Sequence, residues 1–369
     1  MLTSADAQAK QGPRVCVVLP VRNGWPYLPA AVDSILHQTY RNFELIVIDD
    51  GSTDEGGAWL AARALQDHRL RLVGNPGQGL VDALNHGMSL ASGPYIARMD
   101  ADDIAMPDRF ERQVAFLEAN PSIAILGTQT AYMDENGHSD GSASAYPTEP
   151  AQVSRTLAEK GCVLVHPSVM GRREAILQVG GYRRRTEYAE DYDLWLRLDE
   201  RYGLANLPQT LLCYRRHPKK ISHGVNWRQR LARDVALLSA RARRSGRPDP
   251  LDEIDDKMTT LSFGELAERF PTRELAGLLY AYAGARLLEK EARLEDAHQA
   301  QAIIDAARGS YFGDGRKLRC EIVARAAKSS FKALHWRVAA QALLLSLSIA
   351  PGRALSSMMG RHGQGEFRY

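Results

Sequence analysis

Three features of this 369-residue sequence predict an α/β fold. Short β-branched runs alternate with amphipathic helical patterns through the first half, as a mostly parallel central sheet with helices on both faces requires. Acidic residues stand at the ends of two of those runs. Past Trp227 the strand patterns stop and long helical periodicities take over, which predicts an all-helical C-terminal domain. The expected division is a disordered N-terminal tail (1–12), a sheet-bearing domain (13–225) and a helical domain (226–369).

The elements follow in order. Residues 14–19 are an apolar run closed by Pro20, a buried strand. Residues 27–39 place Leu28, Ala31, Val32, Ile35 and Leu36 at helical spacing. A second strand over 45–48 runs into Asp49, Asp50, Gly51 and Ser52. Thr53 and Asp54 can cap the next helix, where Trp59, Leu60, Ala64 and Leu65 are apolar. A third, shorter strand is predicted at 70–73. Residues 79–91 put Leu80, Leu84, Gly87, Met88 and Ala91 on one helix face. The run 95–99 is a strand ending in Asp100. Pro107 opens a helix with Phe110, Val114 and Leu117 inward. The alternation weakens after Thr130. Residues 139–150, rich in Ser, Gly and Pro, predict a loop, and HPSVM (166–170) predicts an exposed strand edge. A helix over 191–202 and a last strand over 207–214 close the domain.

Composition removes several function classes. With 44% hydrophobic and 25% charged residues the chain is ordinary globular protein. A net charge of +3 gives no reason to expect nucleic-acid binding. Cys16, Cys162, Cys213 and Cys320 are far apart, with no C-x-x-C pair, so neither a zinc site nor a disulfide framework is expected. The first ten residues have no apolar core, so no signal peptide is expected. The most apolar stretch, 338–350, falls short of the roughly 20 apolar residues that cross a bilayer. No G-x-G-x-x-G follows a strand, which argues against a dehydrogenase. The expected location is cytoplasmic. Residues 315–369 hold ten Lys or Arg against Glu321 and Glu366. Such a basic, partly apolar stretch can make peripheral contact with the inner membrane face, or pack on the protein or on a second subunit.

The chemistry is carried by the acids. In an open α/β sheet ligands bind at the carboxyl ends of strands. Asp49 and Asp50 stand at one such end and Asp100, Asp102 and Asp103 at another. Carboxylates this close repel one another unless they share a cation or face water. Mg²⁺ or Mn²⁺ suits them, since either takes carboxylate oxygen together with substrate phosphate. Glu190 and Asp191 open a predicted helix, where an acid can serve as a cap, a dipole partner or a general base.

Seven segments occur in a fixed order: VLPVRN (18–23), SILHQTY (34–40), FELIVIDDGSTD (43–54), ALN (83–85), RMDADD (98–103), AEDYDLWLR (189–197) and YRRH (214–217). Together they resemble the family 2 glycosyltransferases, enzymes of the Rossmann-like GT-A nucleotide-diphospho-sugar transferase fold. The resemblance covers roughly 14–222. It implies that Pro20 and Val21 wall the nucleotide base through their backbone and that Asp50 hydrogen-bonds the base. It implies that Asp100 reaches the ribose or the metal, that Asp102 is the direct metal ligand, and that His217 approaches the diphosphate or metal. Asp191 matches the catalytic base, with Glu190 beside it. The implied cofactor is Mg²⁺ or Mn²⁺. The implied substrates are a nucleotide-diphospho-sugar donor and a saccharide or lipid-linked saccharide acceptor, in an inverting transfer of cell-surface polysaccharide or glycolipid synthesis. Asp103 reads as a cap for the next element of the chain.

Two departures stand out. The Q-x-x-R-W motif and membrane helices of processive members are absent, and Arg22 stands where some members carry an aromatic on the base. Other residues have readings of their own. His166 either lines the acceptor side or is structural. Arg98 is a candidate buried partner for the acid cluster. Strand alternation lets only one of Arg215 and Arg216 face the cleft, and Trp195 and Leu198 read as core. A sugar-1-phosphate nucleotidyltransferase would carry a Gly-rich basic loop after the first strand, which residues 20–24 do not supply. A non-catalytic sugar-nucleotide-binding scaffold would have lost its acids, and Asp50, Asp100, Asp102 and Asp191 are all present.

Overall fold

The structure, a computed structural model, describes residues 12–218, 220 and 227–252. The chain divides into two compact units, Met1–Val225 and Asn226–Tyr369.

The first unit is built around strand β1 (Val15–Val21), buried at every position. An uninterrupted apolar run is what a strand covered on both faces needs. Strands β2 (Phe43–Asp49) and β4 (Tyr95–Arg98) flank it, both parallel to it, and β3 (Leu70–Gly74) lies parallel outside β2. Chain order thus reverses at β1, which places the loops after β1, β2 and β4 beside one another at the switch point.

Side chains on alternate β1 positions go to opposite faces. Val15, Val17, Leu19 and Val21 pack with Val32 and Ile35 of helix α1 (Leu28–Leu36), Leu60 of α2 (Gly56–Gln66) and Phe110 and Leu117 of α4 (Arg109–Ala119). On the other face α3 (Gly79–Leu90) comes so close that a Cβ on Gly87 would sit 2.4 Å from Val18 Cγ1. Helices therefore cover both faces, as expected.

Beyond β4 the sheet continues through β8 (Met170–Arg172), β6 (Ile123–Met133), β9 (Gly203–Arg215) and the two-residue β5 (Ile104–Ala105), with β7 (Ser139–Ala143) paired to β6. Strand β8 is antiparallel to both β4 and β6, β6 and β9 are parallel, and β5 is antiparallel to β9. Helices α5 (Pro150–Glu159), α6 (Arg173–Gln178) and α7 (Glu190–Asp199) complete the unit.

Two local expectations are corrected, and one strand was not foreseen. Residues 166–170 are no exposed edge. His166–Ser168 is a buried 3₁₀ turn, and the strand just after it lies inside the sheet between β4 and β6. The loop expected at 139–150 begins instead with the fully exposed strand β7, which owes its form to pairing with β6. Strand β6 itself had no signal, because Thr128, Gln129 and Thr130 lie buried in it. Gln129 is kept there by hydrogen bonds to Tyr146 O (3.0 Å) and from Ser144 Oγ (2.9 Å).

In the second unit the described part is α8 (Trp227–Arg244) and the turn after it. Ser239 Oγ and Arg243 Nη1 both donate to the Asp249 carboxylate, each at 2.6 Å. The remaining helical patterns, the basic stretch 315–369 and Cys320 lie outside the described residues, as does most of the tail expected at 1–12. No helix among the described residues is long and apolar enough to cross a membrane.

Candidate active site

The ends of β2 and β4 carry Asp49, Asp50, Asp100, Asp102 and Asp103, and the start of α7 carries Glu190 and Asp191. Pro20 and Val21 are buried at the end of β1, and the carbonyl of Val21 accepts the Asp50 N–H at 2.8 Å. Asp50 is tied to the start of α3, because its carboxylate accepts from Asn75 Nδ2 (2.6 Å) and from the Gly79 N–H (3.1 Å). The exposed Arg22 guanidinium stands 3.7 Å from it. Asp50 is thus already engaged in shaping the rim of the crevice.

The acid cluster after β4 is the best-defined group. Carboxylate oxygens of Asp100, Asp102 and Asp103 lie within 4.8 Å of one another. Each has a cationic partner. Buried Arg98 pairs with Asp100 at 2.5 Å, the buried partner expected from the sequence. Lys220 Nζ donates to Asp102 Oδ1 (3.2 Å) and Asp103 Oδ1 (2.8 Å), and lies 3.4 Å from the centre of the Tyr214 ring. His217 Nε2 is 2.9 Å from Asp102 Oδ2.

Strand β9 makes this possible. Its antiparallel pairing with Ile104 and Ala105 lays the chain from Tyr214 onward against Asp102 and Asp103. Arg215 completes the seam, its N–H reaching Asp103 Oδ1 (2.8 Å) and its Nε reaching Asp102 O (2.9 Å). Arg216 points the other way, onto Asp140 and the Tyr132 ring. The alternation expected of the two arginines is observed, but the inward one holds protein rather than open space.

Asp103 is fully buried and does more than cap. Burial, with Asp100 and Asp102 adding repulsion, pushes its carboxyl up to about 7 against the pull of Lys220. Among the described residues its Oδ2 has no hydrogen-bond partner. Hard carboxylate oxygens with one imidazole nitrogen fit a Mg²⁺ or Mn²⁺ ion.

The second acidic group opens α7. Tyr188, just before it, is held at φ +77°, a region costly for a bulky residue. Glu190 is buried and Asp191 half-buried, and among the described residues neither has an ion-pair partner. Burial pushes Glu190 up from 4.5 to about 8, with the Asp191 charge adding to it. Burial raises Asp191 as well, opposed by the Tyr192 N–H (2.7 Å) and by Arg98. Asp100 adds repulsion to the Asp191 charge, so the two groups lie within electrostatic reach of each other. The exposed Cys162 has its Sγ 4.0 Å from Asp191 Oδ2.

His166 is buried, hydrogen-bonded to the Tyr182 hydroxyl at 2.8 Å and edge-on to Trp195. Desolvation holds it neutral, which is a structural role. Trp195 and Leu198 are core.

Comparison with known proteins identifies the family. The model of the glycosyl transferase family 2 matches residues 16–180. EpsE of Bacillus subtilis (strain 168), named as a glycosyltransferase, is 38% identical over 207 residues, spanning 54% of this chain and 72% of that protein. The O-antigen biosynthesis glycosyltransferase WbnJ of Escherichia coli is 34% identical over 213 residues, spanning 56% of this chain and 80% of that protein. The chain belongs to the family 2 glycosyltransferases. The solved structure of residues 1–349 of TarS from S. aureus, in complex with UDP-GlcNAc, matches this glycosyltransferase with a TM-score of 0.55. At 14% identity, covering 96% of this chain and 94% of that chain, it speaks for the GT-A fold.

Several residues of this glycosyltransferase acquire a role only in the structure. Asp193, fully buried, takes ion pairs from Arg183 and Arg197 and so fixes α7 and the acids at its start. Its signal was present, two residues after Asp191, but the sequence shows only one more acid in a helix. Asn85 clamps the backbone of Tyr182 with two hydrogen bonds (2.9 and 3.0 Å), joining α3 to the chain that leads to α7. Lys220 had no signal at all.

Proposed function

We propose that this glycosyltransferase moves a sugar from a nucleotide-diphospho-sugar to an acceptor hydroxyl by a single displacement that inverts the anomeric centre, and that it serves cell-surface polysaccharide or glycolipid synthesis. The observation that carries the reading is Asp191, a half-buried carboxylate with raised basicity and, among the described residues, no cation paired to it, within electrostatic reach of Asp100. In the proposed step the acceptor oxygen attacks the anomeric carbon while Asp191 takes its proton. The bond from that carbon to the phosphate oxygen breaks, and the nucleoside diphosphate leaves with the electron pair. Burial and the Asp191 charge raise Glu190 as well, which favours a single negative charge on the pair.

Asp102, Asp100 and His217 are the residues proposed to hold Mg²⁺ or Mn²⁺, which when bound would neutralise charge on the leaving diphosphate. Pro20, Val21 and Asp50 are proposed to border the nucleotide base. The donor class is supported by UDP-GlcNAc in the TarS structure. The pathway is supported by the O-antigen role in the name of WbnJ. The acceptor, a saccharide or a lipid-linked saccharide, rests on the family resemblance.

The decisive experiment is Asp191→Asn with two readouts. Sugar transfer should fall ~10²–10⁴-fold, the usual contribution of a general base, while the dissociation constant for the nucleoside diphosphate stays as in the parent. Parental transfer by this variant would remove Asp191 from the mechanism. Transfer to no acceptor by the parent protein, with donor binding intact, would favour the scaffold reading.

A further inference from the structure

The acid cluster already contains its own cation. Lys220 is 9% exposed in its side chain, donates to one oxygen each of Asp102 and Asp103, and is backed by the Tyr214 ring. The cation–π contact at 3.4 Å adds to the hold of the two carboxylates. With Arg98 on Asp100, three carboxylates share two fixed positive charges.

Both oxygens of Asp102 are occupied, Oδ2 by His217 and Oδ1 by Lys220. The two partners differ in what an arriving metal ion does to them. A neutral imidazole nitrogen can turn into a ligand and keep its place. An ammonium has three donors and no lone pair, so it can never ligate. It must give up Asp102 Oδ1 to any metal that takes that oxygen, and at such a separation its charge opposes the metal's.

We infer that the Lys220 ammonium is an internal competitor of the divalent cation. It holds the Asp102 and Asp103 oxygens while the donor is absent, keeps metal affinity low in that state, and yields when metal arrives with the donor diphosphate. The inference rests on the metal assignment proposed for Asp102, Asp100 and His217. It gives Lys220 a positioning role, in that metal loading is tied to donor loading.

The test is titration of Mn²⁺ alone into donor-free full-length protein, with free Mn²⁺ read by electron paramagnetic resonance. Lys220→Met should bind Mn²⁺ at least about tenfold more tightly than the parent, since a competing charge is removed. A merely structural lysine would give unchanged or weaker binding, and either result overturns the inference. Equal, measurable binding in both proteins sinks it while leaving the metal assignment intact; no binding in either also sinks it, and the metal assignment is then tested by Mn²⁺-dependent nucleoside diphosphate binding.

A measurement on the unaltered protein covers the case in which the variant does not fold. Acetylation of Lys220 by an N-hydroxysuccinimide ester, followed by peptide mass spectrometry, should rise several-fold on adding saturating Mn²⁺ and UDP, with exposed Lys160 as the internal reference. Labelling of Lys220 that stays the same relative to Lys160 overturns the inference.

Discussion

The two acidic groups of the crevice are alike in sequence and opposite in environment. After β4, every acid has a cation: Arg98 on Asp100, and Lys220 on Asp102 and Asp103. At the start of α7, Glu190 and Asp191 have none among the described residues, and burial raises both. Asp193, one turn into the helix, is paired with two arginines. Paired carboxylates are good holders of position, though burial raises Asp103 in spite of its lysine. Unpaired, desolvated ones are better bases. The fold thus separates a group suited to hold a charged ligand from a group suited to move a proton, and Asp193 fixes the second group without taking part in it.

The largest expected effect outside the reaction itself falls on that anchor. Asp193→Asn leaves two arginines facing a neutral amide at a fully buried position. It should cost about 3–5 kcal/mol of stability, the range for breaking a buried pair from one side, as read by chemical denaturation of the first unit. A loss below about 1 kcal/mol would mean that the arginines find other partners and that Asp193 does not hold α7.

Next is the division of labour. Asp102→Ala should weaken Mn²⁺-dependent nucleoside diphosphate binding by about tenfold or more, the scale seen even for outer partners of a metal site. Intact binding with slowed transfer would show that the cluster works in the chemical step, and the contrast between the two acidic groups would fail.

The smallest effect concerns pH. A carboxyl raised in the folded state binds its proton more tightly there than in the unfolded chain, so it contributes stability at low pH that is lost as pH rises. For Glu190 the window runs from about 4.5 to about 8. Part of the fall in thermal midpoint between pH 5 and pH 8 should therefore vanish in Glu190→Gln. An identical fall in both proteins would mean that Glu190 is an ordinary surface acid.

Much of this was legible in the chain itself. The β1 run, buried at all seven positions, was visible as an apolar stretch closed by Pro20. The helical spacing of Leu28, Val32 and Ile35 foretold the face that meets it. Both acid clusters stood at predictable element ends, because strand ends and helix starts are set by local periodicity and by Pro and Gly. Strands β5 and β6 were not legible. One is two residues long, and the other buries threonine and glutamine that look exposed until their partners at Ser144 and Tyr146 are known.

By itself, then, the sequence determined which residues carry the acids, the succession of strands and helices through the first half and the family to which the chain belongs. Only the tertiary structure decided how those acids are charged. Lys220 reaches Asp102 across 118 residues of chain, and Arg98 serves Asp100 while drawing on Asp191 from a strand end that local pattern cannot relate to α7. Proton affinity depends on burial and on charges a few ångströms away. Those distances are set by how β9 closes back onto β5, which no stretch of local sequence encodes.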